Sequence, residues 1–151
     1  MEITEIERAR RTPDVTERLV AVWESSVRAT HDFLSGGEIA EIKRYVPQAL
    51  ENVPRLVVAA DEKGAPAAFM GIDGRKIEML FVAPEHRGAG IGRRLVEYAF
   101  ARCAADEVTV NEQNPRAKGF YEHMGFAAVG QSPVDEQGKP YPVLRMKRTP
   151  E

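Results

Sequence analysis

The chain has one cysteine, Cys103, among 151 residues, so no disulfide can close within it and no cysteine-rich zinc site can be assembled. No adjacent His or Asp activates that thiol, which reads as structural. Excess charge is also missing. With 21 basic and 23 acidic residues the net charge is −2, which leaves no broad field for nucleic acid or an anionic membrane. No apolar run is long enough to span a bilayer, and Met1-Glu2-Ile3-Thr4-Glu5 lacks the basic and apolar regions of a signal peptide. Linkers, internal repeats and low-complexity stretches are absent. Together these absences predict one cytoplasmic domain over residues 1–151, with neither nucleic acid nor membrane as partner.

What is present is a mixed pattern of helices and strands. Met1, Ile3 and Ile6 form a weak first strand. Val15, Leu19, Trp23 and Val27 recur four apart on one face of a helix that Thr12 or Asp14 caps, with Trp23 in the core. After a polar and aromatic connection at 29–34, Ser35 and Glu38 make a capping box for a second helix carrying Ile39, Ile42, Val46 and Leu50. Strands at 56–60, 67–72 and 75–82 then read as an antiparallel meander turning at Asp61-Glu62-Lys63-Gly64 and Asp73-Gly74. A helix holding Ile91, Leu95, Tyr98, Ala99 and Arg102 leads to a short strand at 108–111, which this crossover makes parallel to its predecessor. Pro115 opens a short helix that Gly125 ends, and strands at 126–130 and 141–147 form a terminal hairpin around Asp135-Glu136-Gln137-Gly138.

The chemistry centres on Val82-Ala83-Pro84-Glu85-His86-Arg87-Gly88-Ala89-Gly90-Ile91-Gly92-Arg93-Arg94-Leu95. A tight glycine loop between a strand and a helix N-terminus offers unpaired amides at the positive end of the macrodipole, a site for phosphate. It is not a Walker A loop, because Arg93 and Arg94 follow Gly92 where Lys and Ser or Thr are needed. The spacing G-x-G-x-G, late in the chain, also fits a Rossmann fingerprint poorly.

Arg87-x-x-Gly90-x-Gly92 after a strand ending Val82-x-Pro84 resembles the acyl-CoA loop of the GNAT N-acetyltransferases. A second run, Asn114-x-x-Ala117-x-x-Phe120-Tyr121-x-x-x-Gly125-Phe126, resembles the family's motif after its fifth strand, and the two lie at family spacing. The likeness covers the whole chain and is strongest to the bacterial YjaB-type members. It includes Ala29-Thr30-His31-Asp32-Phe33-Leu34-Ser35 and Val134-Asp135-x-x-Gly138-Lys139-Pro140-Tyr141-Pro142, stretches that border the acceptor site in GNAT folds.

The resemblance implies an α/β (α+β) fold with a mixed, mostly antiparallel sheet, helices on both faces, and a splay between the fourth and fifth strands that receives pantetheine. It implies transfer of acetyl from acetyl-CoA to a primary amine on a small molecule or protein, by a monomer or homodimer and without a metal. Leu80, Phe81 and Val82 would line the coenzyme, with the Leu80 N–H polarising the thioester carbonyl. Arg87, Gly88, Ala89, Gly90, Ile91, Gly92 and Arg93 would surround the pyrophosphate, and Asn114 would touch the pantetheine arm. His31, Asp32 and Phe33 would meet the acceptor. Tyr121 stands at the family position for the acid that protonates the leaving thiolate; otherwise it is a core aromatic beside Phe120. Glu78, which strand alternation puts on the face of Leu80 and Val82, is the candidate base, or an exposed carboxylate. His31, Asp32 and His123 are weaker candidates, and His86 is a loop contact. Arg93, Arg94, Arg116 and Lys118 are candidates for the ribose phosphate. The alternative function is a GNAT-fold module that binds or senses acyl-CoA without catalysis.

Overall fold

The computed structural model describes residues 1–135 and 138–149, so Glu136 and Gln137 of the expected terminal turn lie outside the described residues. The first strand, β1 (Glu2–Glu5), is followed by helix α1 (Pro13–Thr30). Thr12 caps α1 by accepting from the Val15 N–H, and Pro13 stands at a position whose N–H would have no helical partner. Leu19, Trp23 and Val27 are buried along one face.

The expected second helix is two helices. α2 (Gly36–Lys43) begins with the capping box of Ser35 and Glu38, and α3 (Val46–Asn52) begins after Arg44 and Tyr45. Pro47 explains the break: it has no N–H for the Lys43 carbonyl, and its ring would collide with that carbonyl in a continuous helix. Ile39, Val46 and Leu50 remain buried despite the break.

Strands β2 (Arg55–Ala60), β3 (Pro66–Asp73) and β4 (Lys76–Val82) form the meander. Helix α4 (Ile91–Cys103) then crosses to β5 (Glu107–Asn111), α5 (Pro115–His123) follows, and β6 (Phe126–Ser132) and β7 (Val143–Arg148) end the fold. The sheet order is β1-β2-β3-β4-β5-β7-β6, with β4 and β5 parallel and every other neighbouring pair antiparallel. The mixed, mostly antiparallel sheet is therefore as expected.

Two cores lie on opposite faces of that sheet. On β2, Val57 and Ala59 pack with Leu95, Val96 and Ala99 of α4, while Leu56 and Val58 pack with Leu19 and Trp23 of α1 and Leu50 of α3. Alternation of side chains along a strand requires this division. Helices thus cover both faces.

Arg11 ties the first helical layer together. Its guanidinium is buried and donates to the carbonyl oxygens of Ile6, Leu50, Glu51, Val53 and Pro54 at 2.6–3.3 Å, gathering the C-terminal end of α3 and the start of β2. Arg11→Ala strands those carbonyls without a donor, and is expected to lower the unfolding free energy by about 2–4 kcal/mol in urea denaturation. An unchanged midpoint would mean that water replaces the guanidinium without loss.

Candidate active site

Pairing between β4 and β5 covers only Lys76↔Glu107 and Ile77↔Val108. On the other edge of β4 the Ala83 N–H donates to the Ala67 carbonyl at 2.8 Å, with Val82 opposite Ala68 and Leu80 opposite Met70. Bonded and non-bonded pairs alternate in an antiparallel ladder. Phe81 therefore bonds to β3, while the N–H and C=O groups of Leu80 and Val82 turn toward β5, beyond its last paired residue. The expected splay is present, and its backbone groups await partners.

The parted strands enclose a cavity of about 380 Å³, bounded by residues 77–82 of β4 and 108–111 of β5. Arg116, Ala117, Phe120 and Tyr121 line it from α5 and Asn114 from its N-cap, with Ser26 and Thr30 from α1 and His31 from its C-cap. Arg87, Gly88 and Gly92 bring in the glycine loop. Gly88 and Gly90 have φ of 79° and 77°, a region costly for a residue with a Cβ. Gly90 caps α4 without a side chain, no acid occupies the first turn, and the Arg94 N–H makes the first helical bond back to Gly90. The amides of Ile91, Gly92 and Arg93 are thus outside the helical ladder at its positive end, as an anion site requires.

Residues 31–148 match the family model for the acetyltransferase (GNAT) domain. The chain belongs to the GNAT family. It is 45% identical over 130 residues to peptidyl-lysine N-acetyltransferase YjaB of Salmonella typhimurium strain LT2, covering 86% of this chain and 89% of the relative. The solution structure of apo-form YjaB from Escherichia coli matches with a TM-score of 0.85 and 40% identity, covering both chains in full. PaiA N-acetyltransferase from Thermoplasma acidophilum, solved with coenzyme A, has a TM-score of 0.70 at 20% identity over 97% of this chain and 99% of that one, a likeness of fold. The protein is an acetyl-CoA-dependent N-acetyltransferase.

Within this GNAT fold, Tyr121 is 7% exposed and stands edge-on to Phe120 and Phe126, at centroid distances of 5.1 and 5.5 Å. Both readings of the residue thus describe its surroundings, since it packs in the core and also lines the cavity. Burial pushes its phenol well above the usual range, which keeps it protonated. The Asn114 side chain caps α5 by accepting from the Ala117 N–H at 3.2 Å.

His31 is held from behind. The Thr30 hydroxyl donates to the Ser26 carbonyl at 2.8 Å and therefore accepts from His31 Nδ1 at 2.8 Å, a tautomer that leaves a lone pair on Nε2. Burial lowers its pKa, the Arg87 cation acts in the same direction, and Asp32 opposes them, so the ring is neutral at pH 7. The Phe33 ring lies tilted against this ring at 5.2 Å but does not line the cavity, and Asp32 is exposed.

The alternation argument for Glu78 fails. A register shift puts Ile72 opposite Ile77 and Gly71 opposite Met79, making Glu78 the extra residue of a bulge. Glu78 lines both the first cavity and a second one of about 250 Å³. Ile77 and Thr109 are also common to both, and Ile42, Lys76, Asp135, Lys139 and Val143 complete the second. Lys76 Nζ lies 3.8 Å from the Glu78 carboxylate.

The structure leaves some candidates apart from the cavity. Arg93 pairs with Glu97 at 2.9 Å on the exposed side of α4, Ala89 is exposed, and the Ile91 side chain is buried in the core. Those two can contribute backbone alone. Arg94 reaches the Met1 carbonyl, whereas Arg116 lines the cavity. Ser26 and Thr109 were not foreseen, and Thr30 only as part of the stretch bordering the acceptor site; Thr109, between two buried β5 valines, had a signal in the pattern. Among the described residues, no group of three or more His, Cys, Asp or Glu is arranged for a metal, and no helix is long and apolar enough to cross a membrane.

Proposed function

We propose that the acceptor is the side-chain amine of a lysine in a peptide or protein. The observation that carries this reading is the cavity along the unpaired β4 edge, which reaches the glycine loop and shares Ile77, Glu78 and Thr109 with a second cavity lined by Ile42 of α2 and Val143 of β7. The naming of the 45% identical relatives as peptidyl-lysine N-acetyltransferases supports the same acceptor. In this reading the loop amides and Arg87 hold the pyrophosphate, and the main chain of Leu80 and Val82 with Asn114 holds the pantetheine arm.

Acetyl-CoA supplies the activated acyl group; the protein supplies charge and protons. Glu78 takes a proton from the incoming ammonium, directly or through water, leaving a nucleophilic amine. The Leu80 N–H stabilises the negative charge gathering on the carbonyl oxygen as the C–N bond forms. Tyr121 gives its proton to sulfur as the C–S bond breaks, the nitrogen sheds its second proton to solvent as the amide forms, and Tyr121 and Glu78 are reset by proton exchange with solvent through the cavity. His31, neutral and anchored by Thr30, borders the acceptor with Phe33 beside it. The enzyme acts in the cytoplasm as a single domain, monomer or homodimer, independently of nucleic acid and membranes, a reading the near-neutral charge supports.

Purified protein with acetyl-CoA and a lysine-bearing peptide is expected to release free thiol while the peptide gains one acetyl group on the lysine. Turnover of other amines with none of lysyl peptides would overturn the acceptor assignment. Coenzyme A alone at one hundred times its Kd is expected to stabilise the fold by about 2.7 kcal/mol. For a chain of this size that is a rise in Tm of roughly 5–10 °C. No shift at millimolar coenzyme would contradict binding at the loop.

A further inference from the structure

Gly71 of β3 and Met79 of β4 stand opposite each other, one step beyond the bulge at Glu78. The space left by the missing Cβ is filled from across the pair. A Cβ built at Gly71 would stand 2.6 Å from Met79 Cε and 3.1 Å from Val53 Cγ2, so the thioether methyl lies where a larger residue would put its own side chain. Gly71 is not among the glycines with positive φ, so this close approach, and not the backbone conformation, is what calls for glycine. Met79 packs against the core that holds Val53 and also lines the cavity between β4 and β5. It is half-buried, whereas Ile77, Val108 and Val110, which line the same stretch, are only 2–4% exposed.

With the pyrophosphate at the glycine loop and the pantetheine arm along Val82 and Leu80, the acyl chain of the thioester points away from the loop. It heads toward Ile77 and Val108, where β4 and β5 pair and the splay closes. The Leu80 N–H that polarises the carbonyl belongs to the peptide group shared with Met79. A carbonyl oxygen accepting from it at about 3 Å puts the first acyl carbons beside Met79. Met79 is also the pliable wall of this end. An unbranched thioether re-packs readily, while the β-branched Ile77, Val108 and Val110 are stiff at χ1 and tightly enclosed.

We propose that Met79, seated on Gly71, sets the length of acyl chain that the donor site takes. This rests on the placement of the thioester at Leu80 and is independent of the acceptor. Truncating Met79 to alanine opens the acyl end to longer chains. Filling the seat with Gly71→Ala displaces the thioether methyl, which Val53 blocks on the core side, so it moves into the cavity and shortens the space. The atom displaced is the far end of a flexible side chain, so the fold tolerates the change.

The test is calorimetry of free coenzyme A, acetyl-CoA, propionyl-CoA and butyryl-CoA, without acceptor, on wild type, Met79→Ala, Met79→Leu, Gly71→Ala and the variant carrying both alanines. Wild type is expected to bind butyryl-CoA about 10-fold or more weakly than acetyl-CoA, the scale on which a closed apolar site discriminates methylenes. Met79→Ala should remove most of that preference, and Met79→Leu, of similar volume, should keep it. Gly71→Ala should weaken propionyl-CoA relative to acetyl-CoA by about 10-fold. That effect should vanish when Met79 is already alanine, because the two substitutions act through one contact. Free coenzyme A has no acyl group and should bind every variant as it binds wild type. Equal affinity of wild type for acetyl-CoA and butyryl-CoA overturns the inference and leaves the thioester at Leu80, whereas discrimination that Met79→Ala does not change overturns both. An effect of Gly71→Ala that survives without the Met79 side chain, or a parallel weakening of free coenzyme A, also overturns the inference, since the pair would then be general support. Acetylation of a lysyl peptide with no effect of acyl length would remove this inference and keep the acceptor assignment; the length effect with no peptide turnover would do the reverse.

Discussion

Tyr121→Phe is expected to reduce kcat by about 10²–10⁴-fold while KM for acetyl-CoA stays within a few-fold of wild type. The substitution removes one oxygen and keeps the ring that packs between Phe120 and Phe126. Burial has two consequences for that oxygen. It holds the proton firmly until sulfur carries charge, because desolvation disfavours the phenolate. It also limits bulk water as a replacement donor, since the side chain is almost wholly enclosed. Coenzyme affinity should change little because the loop and β4 contacts assigned to it are mainly backbone. Pre-steady-state thiol release separates the possibilities. A variant that keeps wild-type kcat on its best amine would reduce Tyr121 to packing, and one that no longer binds coenzyme A would make it a binding element.

Legibility followed the range of the physical signal. The glycine loop, the capping box and the strand periodicities are local, and each appears where the residues put it. Two failures also had local causes that went unread. Pro47 divides the helix predicted across 39–50 because a missing N–H outweighs continuous apolar spacing. The bulge at Glu78 defeats the count by twos that assigned its face, and nothing in Lys76-Ile77-Glu78-Met79 marks which residue is extra. The cavity lining was legible where one motif carries it, at Gly88, Gly92 and Tyr121. Contacts were not legible where distant segments meet. Tyr141 and Glu38 are 103 residues apart, and neither shows in isolation that it will hold the other. Ser26 escaped for a similar reason: its carbonyl holds the Thr30 hydroxyl that supports His31, a contact between a helix and the connection that follows it.

Gly90→Asp is expected to weaken coenzyme A binding by two orders of magnitude or more while the protein stays folded. With φ at 77° the position strains most side chains, but Asp and Asn visit this region more readily than others. A Cβ built there meets no atom within 4 Å, so the substitution creates no clash. A carboxylate at the N-terminal end of α4 interacts favourably with the helix dipole and with amides that otherwise lack partners, so Tm should hold or rise. Those same amides are the proposed phosphate ligands. The aspartate therefore competes for them and repels the pyrophosphate; two like charges about 4 Å apart near a surface oppose each other by about 4 kcal/mol. Gly90→Asn separates the two effects, since it has nearly the same shape and no charge. Calorimetry should show a modest loss for Asn and a near-complete loss for Asp, with the difference shrinking as salt screens the repulsion. Equal affinity in wild type and Gly90→Asp would move the phosphate site away from this loop. Equal losses for Asp and Asn would mean that backbone strain, rather than charge, governs the cradle.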